Sequence, residues 1–471
     1  MNGATRSGIG RRRGAAASSK SPLTSIVVVA VSFSLTFFVI LILGFSSSAM
    51  PTIHSDDHWK DAPDVPLSIA AEKGDAVDEL MSKQFRKWAE IIRGDLHLVN
   101  IETSGIISND ESKKKNKSGA SYQGVKAIFC KLDWAEYKKD PPLLPMFRML
   151  VSASGCDKTK NLITMDLVTV VQKTRGYDKI REMRQTQNVD GVHVMPPAGF
   201  VFHESRVGST LVANALTAMN PEGHRVYSES TPINEALKAC QGMLSKCDMD
   251  VNVELFRDVV YLMGRTSSPT EKNMFFKVSS VGSKRIGVLR EAFPSVPWIF
   301  VYRDPVQTMM SHLDPAKIQK KNVRGGAPAA VCTRAKRHPP EDLIQLANDY
   351  GEDVDELSDE EFCAAHLATL CESALRQMKK SDGKGVAVEY DGLVDKLIQS
   401  IIPNHFGIDI DEAARQRILD VAKVYSKSKT DKKDWVEDSR KKDKRSTPEI
   451  RAASTTFLSA SYSELKKHSI E

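Results

Sequence analysis

The sequence predicts an α/β fold in which a parallel sheet is flanked by helices. In residues 199–219 a short apolar run typical of a buried strand ends in a loop, and apolar residues at helical spacing follow the loop. The same succession of strand, turn and helix recurs in residues 298–313, where Pro305 suits the first helical turn because it lacks an N–H group. A third strand is predicted over residues 274–279.

The loop from His203 to Ser209 has the composition of an anion-binding site. Gly208 can adopt the positive φ that a tight turn needs, and Ser209 or Thr210 is expected to cap the following helix. Free backbone N–H groups then point into the loop, where the helix dipole favours phosphate or sulfate. The guanidinium of Arg206 adds a cation able to donate two parallel hydrogen bonds. A Walker A loop is excluded because no lysine follows Gly208.

This loop resembles the 5′-phosphosulfate loop of the sulfotransferases, whose core is Arg or Lys, a small residue, Gly, Thr and Thr. The matching residues are Ser205, Arg206, Val207, Gly208, Ser209 and Thr210. The resemblance implies a P-loop-type sulfotransferase domain and a donor, 3′-phosphoadenosine 5′-phosphosulfate, whose 5′-phosphosulfate these residues bind. Val207 and Glu204 depart from the family pattern. A carboxylate at position 204 repels the donor unless its side chain turns away or pairs with Arg206.

A second match lies at the end of the next predicted strand. Sulfotransferases bind the 3′-phosphate of the donor with an arginine there and with a serine eight positions later, and Arg303 and Ser311 have this spacing. Eight residues are about two helical turns plus the bend, so the hydroxyl can return toward the arginine. The resemblance implies that this pair selects the donor over ATP. The resemblance covers roughly residues 199–407, and residues 386–394 look like the late strand and turn common in the family.

Glu229 and Lys277 resemble two residues of the tyrosylprotein sulfotransferases. In that branch a lysine in a similar place helps to stabilise the transferring group, and a glutamate takes the proton from the acceptor hydroxyl. The resemblance implies catalytic roles for Glu229, Lys277 and Arg206, and a placed general base contributes about 10²–10⁴ in rate. A surface carboxylate without a role is the alternative for Glu229, and Glu235 and His224 are nearby substitutes.

The N-terminal residues predict a membrane anchor. Residues 1–25 form a basic cytosolic tail, and residues 26–45 form an apolar run long enough to span a bilayer as one helix. Because positive charge stays cytosolic, we expect a single-pass type II protein with a luminal domain in the Golgi. A cleaved signal peptide stays open because residues 47–49 are small, whereas the long apolar run disfavours a transit peptide.

The rest of the chain divides into three predicted segments. Residues 46–70 form a stem, residues 71–194 an N-terminal extension packed on the catalytic domain, and residues 195–471 the sulfotransferase-like domain. Within the extension, residues 72–96 have the apolar spacing of an amphipathic helix. Asn116 lies in the only glycosylation sequon, so we expect a glycoprotein.

Two charged segments have alternative interpretations. Residues 314–360 are rich in Gly, Pro and charge, and they either border the acceptor cleft or form a surface insertion. Residues 423–445 favour a solvated charged face, the alternative being a late basic loop that closes the donor site through Lys427, Lys429 or Lys433.

Composition limits the classes of partner. The N-terminal cations account for most of the net charge of +6, so nothing points to nucleic acid. The histidines are scattered and no Cys-x-x-Cys pair is present, so no metal site is expected. Seven cysteines leave one unpaired. Disulfides between Cys240 and Cys247, or between Cys332 and one of Cys363 and Cys371, are open possibilities.

The predicted function is transfer of a sulfuryl group from 3′-phosphoadenosine 5′-phosphosulfate to a hydroxyl of a protein tyrosine, a glycan or a small alcohol. Two alternatives remain. One is a non-catalytic protein with the sulfotransferase fold that binds a glycan or protein partner, and the other is a P-loop kinase that uses ATP. A homodimer is left open.

Overall fold

The computed structural model describes most of the chain after residue 75. The described residues are 76–108, 120–183, 191–241, 247–314, 331–424, 434, 436 and 438–470. The predicted tail, anchor and stem, the sequon at Asn116 and the lysines at 427, 429 and 433 lie outside them. No helix within the described ranges is both long and apolar enough to cross a membrane.

The strands of the described residues form one parallel sheet and three smaller antiparallel sheets. In chain order they are β1 (His97–Glu102), β2 (Ile107–Ser108), β3 (Tyr122–Gln123), β4 (Lys126–Cys130), β5 (Ile163–Asp166), β6 (His193–Val194), β7 (Pro197–His203), β8 (His224–Ser228), β9 (Arg265–Thr266), β10 (Asn273–Lys277), β11 (Trp298–Tyr302) and β12 (Gly385–Glu389).

Helices connect these strands and cover the parallel sheet. They are α1 (Ala76–Arg93), α2 (Trp134–Lys139), α3 (Phe147–Ala153), α4 (Leu167–Met183), α5 (Ser209–Met219), α6 (Thr231–Lys238), α7 (Met249–Met263), α8 (Ile286–Ala292), α9 (Pro305–Leu313), α10 (Glu341–Asp349), α11 (Asp359–Met378), α12 (Leu393–Lys396), α13 (Glu412–Ala422), α14 (Ser439–Arg445) and α15 (Pro448–Lys467). A π-helical segment over Leu397–His405 follows α12.

The parallel sheet has five strands in the order β12-β11-β7-β10-β8. Its inner strands are buried nearly throughout on both faces, which is why their sequences are continuous apolar runs. The register aligns Lys277 with Ser228, and Tyr302 with Glu389, so the strands end at one edge of the sheet. The predicted α/β class with a helix-flanked parallel sheet is confirmed.

Alternate residues of the strands serve two separate cores. Phe200 and Phe202 pack with α7, α8 and the β1-β4-β5 sheet, whereas Val201 packs with α5, the π-helical segment and α13. This alternation follows from the two-residue period of a strand. The β1-β4-β5 sheet lies in the predicted extension, and its apolar residues belong to the same core as those of the parallel sheet. A domain boundary at residue 195 stays a prediction.

A buried charge cluster also joins the extension to the parallel sheet. Glu271 accepts hydrogen bonds from Arg225 on β8 and from Lys138 on α2, the latter at 2.5 Å. The side chains of Arg225 and Glu271 are almost fully buried. Removing one partner of such a pair leaves an uncompensated buried charge, so the cluster fixes how the two parts of the chain fit together.

Three disulfides lie among the described residues. Cys240 pairs with Cys247 and Cys332 with Cys363, which agrees with the pairings left open above. The third joins Cys130 and Cys156 of the extension and was not predicted. Among the described residues Cys371 is the one free cysteine, and it is buried.

The start of α5 corrects one expectation. The helix begins at Ser209, and its N-cap is Gly208 with a φ of 83°, without a side-chain capping bond. Neither Ser209 nor Thr210 is therefore the cap. Their backbone N–H groups are still without an acceptor in the helix, because the first N–H groups of any helix have none.

Candidate active site

A cavity of about 620 Å³ lies at the carboxyl edge of the parallel sheet. Every strand of that sheet contributes to it, through the last residue of the strand or the residues that follow it. The ten residues proposed from the sequence all line it: Ser205, Arg206, Val207, Gly208, Ser209, Thr210, Glu229, Lys277, Arg303 and Ser311. Open parallel sheets bind ligands at this edge.

The backbone of the loop is held in an uncommon conformation. Ser205 and Arg206 have φ values of 98° and 60°, and Glu229 across the cavity has 53°. Four non-glycine residues among those described have a positive φ, and three of the four line this cavity. Such positions cost about 1–3 kcal/mol each and cluster at functional sites. Successive N–H groups in this geometry form a concavity suited to anions.

Gly208 and Val207 show how the loop fits its surroundings. A Cβ on Gly208 would lie 2.6 Å from the ring of Tyr390, so only glycine fits at this positive φ. The side chain of Val207 is fully buried in the core with α5 and α13. The larger residue therefore fills the interior and leaves the loop uncrowded.

Glu204 turns away from the loop. Its side chain is 3% exposed. One carboxylate oxygen, Oε1, accepts hydrogen bonds from the Arg303 backbone N–H at 2.9 Å and from the Thr308 hydroxyl at 3.2 Å. The other accepts one from the Cys371 thiol at 3.3 Å. The carboxylate thus avoids repelling an anion in the loop because it points away from the loop, and not because it pairs with Arg206.

Burial makes the stability of the protein depend on the ionisation of Glu204. Burial raises its pKa to about 7, although the bonds from Arg303, Cys371 and Thr308 lower it. The folded state then holds a proton that the unfolded state has lost, so the free energy of unfolding falls by roughly 3 kcal/mol between about pH 4.5 and pH 7. Glu204→Gln should lack this decline. Denaturant titration of both proteins near pH 5 and near pH 8 tests this, and parallel pH profiles would contradict it.

Lys277 and Glu229 form an ion pair within the cavity. Lys277 ends β10 and is 1% exposed, and its Nζ donates to Oε1 of Glu229, which follows β8. Burial lowers the pKa of Lys277, and Glu229 opposes that effect. The Nε2 atom of His203 lies 3.9 Å from the same carboxylate oxygen. The cavity therefore contains a partly exposed carboxylate held beside a buried cation.

Arg303 is held on several sides by the protein. Its Nε donates to Gln307 at 2.8 Å, and Nη2 donates to Asp438 at 3.0 Å and to Ser439 at 2.8 Å. The guanidinium lies over the ring of Tyr390, 4.2 Å from its centre. Ser311 lines the same cavity, and its hydroxyl donates to the backbone oxygen of Gln307. Arg303 and Ser311 thus share one wall, with Gln307 between them.

The structure adds residues that the sequence did not single out. Asp438 and Lys442 line the cavity and form an ion pair at 2.9 Å. This part of residues 423–445 is therefore not the solvated charged face that the sequence favoured. Arg148 comes from the extension, for which the sequence offered no motif. Tyr390 belongs to the late strand and turn, so its position was predicted but its contact with Arg303 was not.

Comparisons with known proteins give distant similarities in fold. No protein-family model and no curated protein matches the chain. A sulfotransferase domain of an olefin synthase from Synechococcus is 14% identical, with 58% of this chain and 95% of that chain covered and a TM-score of 0.31. A sulfotransferase from Mycobacterium avium is 12% identical (65% and 85% covered, TM-score 0.34), and one from Alicyclobacillus acidocaldarius is 11% identical (58% and 96% covered, TM-score 0.32). Similarity at this level establishes no family for the chain.

Proposed function

We propose that this protein transfers a sulfuryl group from 3′-phosphoadenosine 5′-phosphosulfate to an acceptor hydroxyl. The observation that carries the proposal is the convergence of the ten predicted residues on one cavity, from positions spread between 205 and 311. Parallel strands that end at one edge bring these residues together, and their side chains then decide which ligand fits there. Their chemistry, two arginines, a lysine and a row of backbone N–H groups, suits a ligand with two anionic ends.

The two ends of the donor fit two parts of the cavity. The concave backbone of residues 205–210 and the Arg206 guanidinium suit the 5′-phosphosulfate. Arg303 and Ser311 suit the 3′-phosphate, with Tyr390 behind the guanidinium. The donor supplies an activated sulfuryl group on a phosphate that can leave. The protein has only to bind, orient and balance charge.

Three side chains have catalytic roles in this proposal. Arg206 and Lys277 balance the negative charge that develops on the leaving phosphate and the sulfuryl oxygens, and preorganised groups of this kind contribute on the order of 3 kcal/mol each. The Glu229 carboxylate takes the proton from the acceptor hydroxyl as that oxygen attacks sulfur. Lys277 donates a hydrogen bond to this carboxylate and thereby holds it in place within the cavity.

Asp438 gives the proposal a test at the 3′-phosphate position. Its carboxylate holds the guanidinium of Arg303, so a bound phosphate meets a like charge there. We expect Asp438→Asn to strengthen binding of adenosine 3′,5′-bisphosphate by about 3- to 10-fold, or up to about 1.4 kcal/mol. Asp443→Asn is the matched control, since Asp443 lies on α14 and contacts Gln307 but not Arg303. Weaker binding by Asp438→Asn, as measured by calorimetry, would oppose this role.

We also propose a luminal catalytic domain, in the Golgi, with a tyrosine or glycan hydroxyl as acceptor. Three disulfides among the described residues support an oxidising compartment, because structural disulfides are rare in the cytosol. Arg148 and Arg334 also line the cavity, and because both are exposed they are accessible to an acceptor.

Turnover tests the proposal. The full chain is incubated with sulfur-labelled donor and, separately, with phosphorus-labelled ATP, and tyrosine peptides, glycans and small alcohols are offered as acceptors. Transfer of labelled sulfuryl groups to one class supports the proposal. Donor binding without transfer to any acceptor would favour the non-catalytic alternative, and transfer from ATP would favour the kinase.

A further inference from the structure

Glu204 connects the 205–210 loop to Arg303 through the protein interior. It follows β7 directly and precedes the strained residues Ser205 and Arg206 of the loop. Its Oε1 atom binds the backbone N–H of Arg303, which follows the neighbouring strand β11, and the hydroxyl of Thr308 on α9. A single buried oxygen therefore contacts the end of one strand and the helix that begins after it.

We propose that Glu204 is a positioning residue that sets the place of Arg303 relative to the 205–210 loop. This inference rests on the proposed function and deepens it, because the distance between the two sites decides which donors can occupy both. Glu204 is buried and does not line the cavity, so it acts through the backbone of Arg303 and not by touching a ligand.

The contacts explain why a carboxylate suits this position. The Arg303 N–H lies beyond the last residue of β11 and needs an acceptor, since a buried N–H group left unpaired is unfavourable. A carboxylate offers two oxygens, and the second accepts from Cys371 on α11. One side chain thereby links β7, β11, α9 and α11. Asp304 is a further charged neighbour, and it raises the pKa of Glu204.

A merely structural carboxylate would behave differently from a positioning one. Loss of packing or of a buried charge lowers stability without changing which nucleotide the cavity prefers. Loss of the Arg303 position weakens contact with the 3′-phosphate while leaving the 205–210 loop to bind the 5′-phosphate. The ratio of two affinities therefore separates these roles, because effects common to both nucleotides cancel.

The experiment measures the affinities of the full chain for adenosine 3′,5′-bisphosphate and adenosine 5′-phosphate. We expect the wild type to prefer the bisphosphate and Glu204→Ala to lose about tenfold of that preference. Glu204→Gln keeps an oxygen for the Arg303 N–H and should retain the preference within about 1.5-fold. Thr308→Val removes only the hydroxyl donor and should lose about threefold, which provides a second variant if Glu204→Ala fails to fold.

Hydrogen exchange at the Arg303 amide separates failure of this inference from failure of the proposed function. A larger increase in exchange at the Arg303 amide than at the other amides of β11 in Glu204→Ala, with Glu204→Gln close to wild type, supports the positioning role even if the wild type shows no preference for the bisphosphate. A wild type without a preference for the bisphosphate would overturn the proposed donor but not the positioning role of Glu204. Equal exchange in all variants, or an unchanged affinity ratio in both Glu204→Ala and Thr308→Val where the wild type shows a preference, would overturn the positioning role.

Discussion

Replacing Arg206 by alanine is expected to lower the turnover number for sulfuryl transfer by about 10²–10³. Arg206 is exposed, lines the cavity and belongs to the 205–210 loop that we propose binds the 5′-phosphosulfate. Alanine keeps a non-glycine residue at the positive φ, so the backbone strain changes little. The main effect should then fall on charge balance in the transition state. Steady-state rates with saturating donor measure it.

A matched arginine provides the control for this substitution. Arg376→Ala removes an exposed guanidinium from α11 that pairs only weakly with Glu372, at 3.6 Å, and does not line the cavity. It should leave turnover within about twofold, as expected for a surface ion pair. Arg206→Lys keeps the charge but not the two parallel hydrogen bonds and should fall between the two. Turnover of Arg206→Ala within a few-fold of wild type would contradict the assigned role.

Glu229→Gln should lower turnover by about 10²–10⁴ while the KM for the donor changes only a few-fold. The amide keeps the shape of the side chain but cannot accept the proton from the acceptor hydroxyl. With a tyrosine acceptor, the remaining rate should rise with pH toward the ionisation of the phenol near pH 10, because the phenolate needs no base. Rates measured across this pH range distinguish loss of a base from loss of packing.

Glu235→Gln is the control for this second substitution. Glu235 lies on α6, close to Glu229 in sequence, but pairs with Lys238 at 2.8 Å outside the cavity. Its replacement should leave turnover nearly unchanged. If Glu235→Gln were as slow as Glu229→Gln, or if Glu229→Gln kept wild-type turnover, Glu229 would not be the base.

Local patterns made much of this site predictable. The 205–210 loop and Arg303 each follow a run of apolar residues that marks a strand, and strands of a parallel sheet end at one edge. Ser311 lies on the helix that follows Arg303. The sequence therefore places these residues near each other without any knowledge of long-range contacts. Lys277 follows the same rule at the end of β10, whereas Glu229, which follows β8, was indicated by the family resemblance and not by a predicted strand.

Long-range contacts account for what the sequence did not predict. Asp438 reaches Arg303 from 135 positions away, and only the packing of α14 brings them together. The inward orientation of Glu204 depends on hydrogen bonds from Thr308 and Cys371, and no local sequence pattern pairs either residue with Glu204. The disulfide between Cys130 and Cys156 similarly needs the fold of the extension.

Composition hid one element. Residues 314–360 were predicted to border the acceptor cleft or to form a surface insertion, and Glu341–Asp349 within them is a helix that the sequence analysis did not single out. Its buried face is formed by Leu343, Leu346 and Ala347, at helical spacing. Pro340 precedes the first turn as its N-cap, so the surrounding prolines and charges obscured a short amphipathic element.

Calorimetric titration of the full chain with adenosine 3′,5′-bisphosphate tests the central claim most directly. ATP is titrated in parallel, and both ligands are repeated with Arg303→Ala. The account predicts binding that depends on the 3′-phosphate, is much tighter than that of ATP, and falls by about tenfold or more in the variant, which corresponds to about 1.4 kcal/mol. Equal binding of ATP, or no binding of the bisphosphate, would contradict it.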